Sequence, residues 1–106
     1  PQTDTTGCLQ DIHWSHGSFG YFPTYSLGSV LAAQLDAALR ADLGDVDALV
    51  REGQFDPIRE WLRDHVHRHG SRYPTPDLIE RATGEAFTPE YFLDYVNDKY
   101  GALYAL

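Results

Sequence analysis

The chain is poor in cysteine and in positive charge, and it lacks any long uncharged apolar run. One cysteine in 106 residues cannot close an internal disulfide, which points to a reducing compartment and a cytoplasmic location. Cys8 itself, between Gly7 and Leu9, reads as a small buried residue rather than a nucleophile. Eight Lys and Arg face sixteen Asp and Glu, a formal net charge of -8, so the surface repels phosphate backbones and nucleic acid is a disfavoured partner. The acidic residues are dispersed rather than massed, which fits solubility better than a dedicated binding site. No stretch of about 18 uncharged apolar residues exists, which excludes a membrane-spanning helix. A secretory signal is not visible either, and the opening Pro1 is what a processed or partial sequence shows.

What is present reads as helices. Pro1 to Thr6 is polar and without period, a loop or frayed end. A Gly, aromatic and His mixture follows from Gly7 to Tyr25, as in functional loops and buried connectors alike. Pro23 suits a first helical turn, and Leu27, Leu31, Leu35 and Leu39 then recur at i, i+4, predicting a helix from about Pro23 to Asp42 that stops at Gly44. Its charges are confined to the C-terminal end, so most of its circumference needs cover, and exposed apolar surface with self-association is expected of the chain alone. A shorter segment, Asp45 to Glu52, ends at Gly53. Asp56-Pro57, Thr75-Pro76 and Thr88-Pro89 each pair a capping residue with proline and predict three more helix starts, two of them stopped by Gly70 and Gly84. No segment alternates with a period of two. The expected class is all-α.

The densest polar and aromatic cluster is Gly7-Cys8-Leu9-Gln10-Asp11-Ile12-His13-Trp14, followed by Gly20-Tyr21-Phe22-Pro23-Thr24-Tyr25. These resemble two signatures of the M32 metallocarboxypeptidases, G-x-x-Q-D-x-H-W and G-Y-F-P-T-Y, both complete and in order. Arg51 to Phe55, Trp61 to Arg63, His67 to Gly70, Arg81 to Glu85 and Tyr91 to Tyr95 resemble the tail of the same family. The likeness runs over nearly the whole chain and implies the C-terminal helical part of a larger, mostly helical metallopeptidase. Residues 1–22 would be an active-site loop region and 23–106 part of a helical bundle.

Family members bind zinc through a helical H-E-x-x-H and a distant Glu upstream of these signatures. This chain contains no H-E-x-x-H, and the family's I-R-x-x-A-D segment is missing too. The resemblance therefore implies a zinc held by residues outside the chain, no metal ligand within it, and a fragment inactive by itself. It also implies a peptide C-terminus as substrate, the rest of the enzyme as a partner, and a homodimer. By resemblance, His13 is assigned to the substrate backbone, Tyr21 to the terminal carboxylate or a nearby carbonyl, and Tyr25 to the oxyanion, with the two tyrosines interchangeable. Gln10, Asp11 and Trp14 are expected behind them, Gln10 and Asp11 as a buried pair orienting the His13 loop. Gly17 and Gly20 would let that loop bend close to a ligand.

Plainer readings stand beside these. A lone His next to Trp14 is ordinarily a hydrogen-bonded core residue, and Tyr21 and Tyr25 four apart at a helix start ordinarily pack. His65 and His69 could chelate a metal at i, i+4, but no third ligand is suitably spaced, and a complement to the negative helix end suffices. The alternative to an enzyme part is a helical interaction module of the same ancestry without catalysis.

Overall fold

The computed structural model describes residues 2–105, and for Cys8 the backbone alone, so the reading of its thiol as buried lies outside the described residues. Five α-helices follow in order: α1 Pro23–Leu43, α2 Val46–Arg51, α3 Asp56–His65, α4 Thr75–Thr83 and α5 Glu90–Tyr104. No strand occurs among the described residues. The fold is all-α.

α1 is the axis against which α3, α4 and α5 pack. Its leucine row explains why. Leu39 is buried with Val46 of α2 and Trp61 of α3, and Leu35, Ala38, Leu43, Ile58 and Leu62 close around them. Higher on α1, Leu31 is only half-buried and Leu27 is 53 % exposed. The apolar row thus runs from a packed C-terminal half to an uncovered N-terminal half, beside the loop that carries the signatures.

Two polar side chains tie the packing. Gln34, 1 % exposed, donates from Nε2 to the Thr83 hydroxyl at 3.1 Å and the Ala86 carbonyl at 3.1 Å, and its Oε1 accepts from the Thr88 N–H at 3.1 Å. It supplies partners to the connection between α4 and α5, which could not otherwise sit against an apolar helix. Trp61 sends its indole N–H to Asp42 at 2.6 Å while its ring stays in the core.

Several expected details differ. Pro1 to Thr6 was expected to be irregular, yet Asp4–Thr6 forms a 3-10 turn with Thr3 and Thr6 capping each other. Asp56 does not cap α3: it lies inside the first turn and pairs with Arg59 at 2.9 Å. Thr75 likewise lies within α4 and makes no capping bond. Thr88 does accept from the Glu90 N–H, at 3.4 Å. Asp45 caps α2 through the Ala48 N–H at 2.9 Å. The helix expected to reach Gly70 breaks at Val66 into a 3-10 turn, His67–His69.

The chain is open for its size. Its radius of gyration is 17.8 Å, against about 13 Å for a compact domain of this length. Its accessible surface is 8087 Å², whereas a compact 12.0 kDa protein exposes about 6,000 Å². Large apolar side chains contribute to that surface: Leu9, Trp14, Phe19, Leu27, Leu103 and Tyr104 are each more than half exposed.

Candidate active site

The loop preceding α1 builds the site by local rules. The Asp11 carboxylate accepts the backbone N–H of His13 at 2.8 Å, a bond two residues long of the kind Asp makes in turns. From Ile12 the chain makes a helical turn, with the His16 N–H on the Ile12 carbonyl and the Gly17 N–H on the Trp14 carbonyl. Gly17, at φ 75°, turns the chain back so that the Ser18 N–H reaches the His13 carbonyl at 2.7 Å. A residue with a Cβ is strained at that φ. Gly20, at φ 76°, redirects the chain into the first turn of α1, where Pro23 needs no donor.

These turns bring His13, Tyr21 and Tyr25 together. Nδ1 of His13 lies 2.7 Å from Asp11 Oδ1, and Nε2 lies 3.0 Å from the Tyr25 hydroxyl. The imidazole stacks on the Tyr21 ring at 5.0 Å and meets the Tyr25 ring edge-on at 5.9 Å. Tyr21 and Tyr25 meet edge-on at 5.4 Å. The Phe22 ring, 5.0 Å from the imidazole, completes the enclosure. Sequence reasoning had not singled it out, although it sits inside the second signature.

The group is open to solvent on one side: the His13 side chain retains 23 % of its exposure, and Tyr21 and Tyr25 are both exposed. It is not sealed in a core. The His13 backbone N–H, and then its ring N–H, hold the Asp11 carboxyl below its ordinary pKa, so it is ionised at neutral pH. An ionised carboxylate only accepts. Nδ1 of His13 therefore carries a proton.

The other expected residues fall elsewhere. Gln10 and Asp11 are not a buried pair, since both are exposed. Asp11 holds His13, but Gln10 turns back to donate to the Thr5 carbonyl and braces the preceding turns. Trp14, 65 % exposed, packs on Phe19 at 5.8 Å. His65 and His69 are not on one helix face. His65 stacks flat on Trp61 at 4.3 Å, with Nδ1 2.9 Å from the Trp61 carbonyl, while His69 ends the 3-10 turn beside Tyr73. Among the described residues no group of three or more His, Cys, Asp or Glu is placed to hold a metal ion. Sequence reasoning also missed Gln34, whose signal was available as the one uncharged amide inside an apolar helix.

The chain is all-α, and its longest helix opens on an imidazole flanked by two phenols. The family of carboxypeptidase Taq (M32) metallopeptidases matches residues 1–100, and the chain belongs to that family. It is 50 % identical over 106 residues to carboxypeptidase 1 of Bacillus subtilis strain 168, covering 100 % of this chain and 21 % of that protein. Against thermostable carboxypeptidase 1 of Pyrococcus furiosus the identity is 48 % over 100 residues, covering 94 % and 20 %. The solved structure described as the BsuCP crystal structure superposes with a TM-score of 0.89 at 50 % identity, covering 97 % of this chain and 21 % of that one. The chain thus spans about a fifth of the length of the curated relatives it matches.

Proposed function

We propose that this chain forms the substrate-facing wall of a zinc-dependent carboxypeptidase that releases C-terminal residues from peptides. The observation that carries the reading is the open cluster of His13, Tyr21 and Tyr25 at the entrance of α1, in a chain of the M32 family.

In this reading the metal chemistry resides outside this chain. The sequence has no H-E-x-x-H, and the described residues offer no set of three ligands. Zinc in such an enzyme supplies an activated water and a Lewis acid, and in this reading its ligands lie outside the 106 residues. The residues of this chain bind and orient. A Tyr hydroxyl is a neutral donor that can meet a carboxylate or the oxygen that gains charge when a peptide carbonyl is attacked. Tyr25 takes the oxyanion and Tyr21 the terminal carboxylate, or the reverse. His13 joins them at the substrate backbone or through its hydrogen bond to Tyr25. The rings of Tyr21, Phe22 and Tyr25 pack around the imidazole and hold it in place.

The test compares the full-length protein with the isolated 106-residue chain on peptides blocked at their N-terminus. Chelator-sensitive release of the last amino acid by the full-length protein, and none by the chain alone, is expected. A full-length protein that binds peptides without cleaving them would favour an interaction module instead. Release by the isolated chain would refute the assignment of the metal ligands.

A further inference from the structure

Asp11 Oδ1 accepts two bonds from one residue, the backbone N–H of His13 at 2.8 Å and its ring Nδ1–H at 2.7 Å. Two bonds to one oxygen fix both where the imidazole sits and which nitrogen carries its proton. A neutral imidazole has one N–H, so with Nδ1 protonated Nε2 has only a lone pair to offer. The group facing Nε2 is the Tyr25 hydroxyl, 3.0 Å away. The Tyr21 ring stacks on the imidazole at 5.0 Å and the Phe22 ring lies 5.0 Å from it.

We propose that Asp11 is a positioning residue that keeps the proton of His13 on Nδ1, so that Nε2 accepts the Tyr25 hydroxyl hydrogen in the free site and places that phenol for the substrate. This deepens the carboxypeptidase reading and rests on it for its catalytic consequence. His13 in this state has no hydrogen to give a substrate carbonyl. Its work is to fix the Tyr25 oxygen at one point; the phenol has one hydrogen, so the bond to Nε2 is given up when Tyr25 donates to the substrate. The lowered pKa of Asp11 keeps the acceptor ionised at neutral pH.

The chain Asp11, His13, Tyr25 separates a charge and a tautomer by design of its geometry. Both bonds from His13 end on Oδ1, so Asp11→Asn can retain them through its amide oxygen, whereas Asp11→Ala loses both. The experiment uses the full-length protein labelled with 15N-histidine at about pH 8, where neutral rings prevail. The ring nitrogens of His13 are assigned by their couplings to the ring carbon-bound protons and by the loss of the signals in His13→Gln. The expected result is a protonated Nδ1 and an unprotonated Nε2 in the wild type and in Asp11→Asn, with that fixed pattern lost in Asp11→Ala.

In parallel, Asp11→Ala lowers kcat for peptide release by on the order of 10- to 100-fold, as a misplaced catalytic group does, with little change in KM, and Asp11→Asn restores most of it. A protonated Nε2 in the wild type, or an unchanged pattern in Asp11→Ala, overturns the proposal. So does a full kcat in an Asp11→Ala protein that has lost the pattern. If the full-length protein cleaves no peptide, the functional reading fails, and the ring signals still decide the tautomer.

Discussion

The Tyr25 hydroxyl lies 3.0 Å from Nε2 of His13, twelve residues earlier in the chain, and this is the bond that joins the two family signatures. Tyr25→Phe removes the hydroxyl and leaves the ring packing against Tyr21 and Phe22. In the full-length enzyme it is expected to lower kcat by about 10²- to 10³-fold, or about 2.7–4 kcal/mol, as the loss of an oxyanion donor does. Bound zinc, read by atomic absorption, should be unchanged. Adding Asp11→Ala to Tyr25→Phe should cost little more than Tyr25→Phe alone, because both act on one group. A Tyr25→Phe enzyme with wild-type kcat removes this residue from the site.

Asp11 sets an acid limit on the loop. Its pKa in the folded chain is depressed, first by the His13 backbone N–H and then by the His13 ring. A carboxyl of lowered pKa contributes its stability above its free value and loses it as the pH falls through the folded value. The Asp11-dependent step in the shift of the His13 backbone amide proton should therefore fall below the ordinary carboxyl range. Asp11→Asn should abolish that step. A step below the carboxyl range that survives in Asp11→Asn would assign the acid response to another group.

Gln34 carries the junction of α1, α4 and α5. Gln34→Ala removes the buried amide and leaves the half-buried Thr88 N–H and the exposed Ala86 carbonyl without it, at about 1–3 kcal/mol in total. Urea unfolding of the full-length protein should show a loss of that order, and Gln34→Glu should not restore it, since a carboxylate cannot donate to Thr83 and Ala86. Wild-type stability in Gln34→Ala would mean that water replaces the amide.

Trp61 is the largest side chain of the small core and the partner of Asp42 at 2.6 Å and of the stacked His65. Trp61→Ala is expected to destabilise by about 3–5 kcal/mol, the range for truncating a buried aromatic. Trp61→Phe should recover most of the packing and lose the bond to Asp42, about 1 kcal/mol. Thermal unfolding distinguishes the two, and equal losses would place the hydrogen bond above the ring in importance.

The isolated chain should display its uncovered surface. With 8087 Å² accessible and Leu27, Phe19 and Leu103 outside, it should bind an apolar dye and sediment as associated species. A compact monomer without dye binding would show that these side chains fold inward in solution.

Much of this was legible because it depends on neighbours in sequence. The leucine spacing gave α1 to within one residue of its C-terminal end, since a row at i, i+4 has no other economical geometry. The capping expectations at Asp56 and Thr75 failed for a local reason: proline at the second helical position moved the start one residue earlier, inside which the acid or hydroxyl no longer faces the first N–H groups. The break at Val66 was not legible. Nothing in Trp61 to Gly70 interrupts the helical period, and the change to a 3-10 turn accompanies the burial of Trp61 and the stacking of His65.

The amino-acid order alone determined the all-α class and the family, and it nominated the three residues proposed to face a substrate, because helix periods and whole motifs are written in short-range spacing. Only the tertiary structure decided that Asp11 grips His13 from an exposed position, that His13 in turn meets Tyr25, and that Gln34 is the buried polar tie. These are distances between side chains set by turns and packing, and residue spacing along the chain does not encode them.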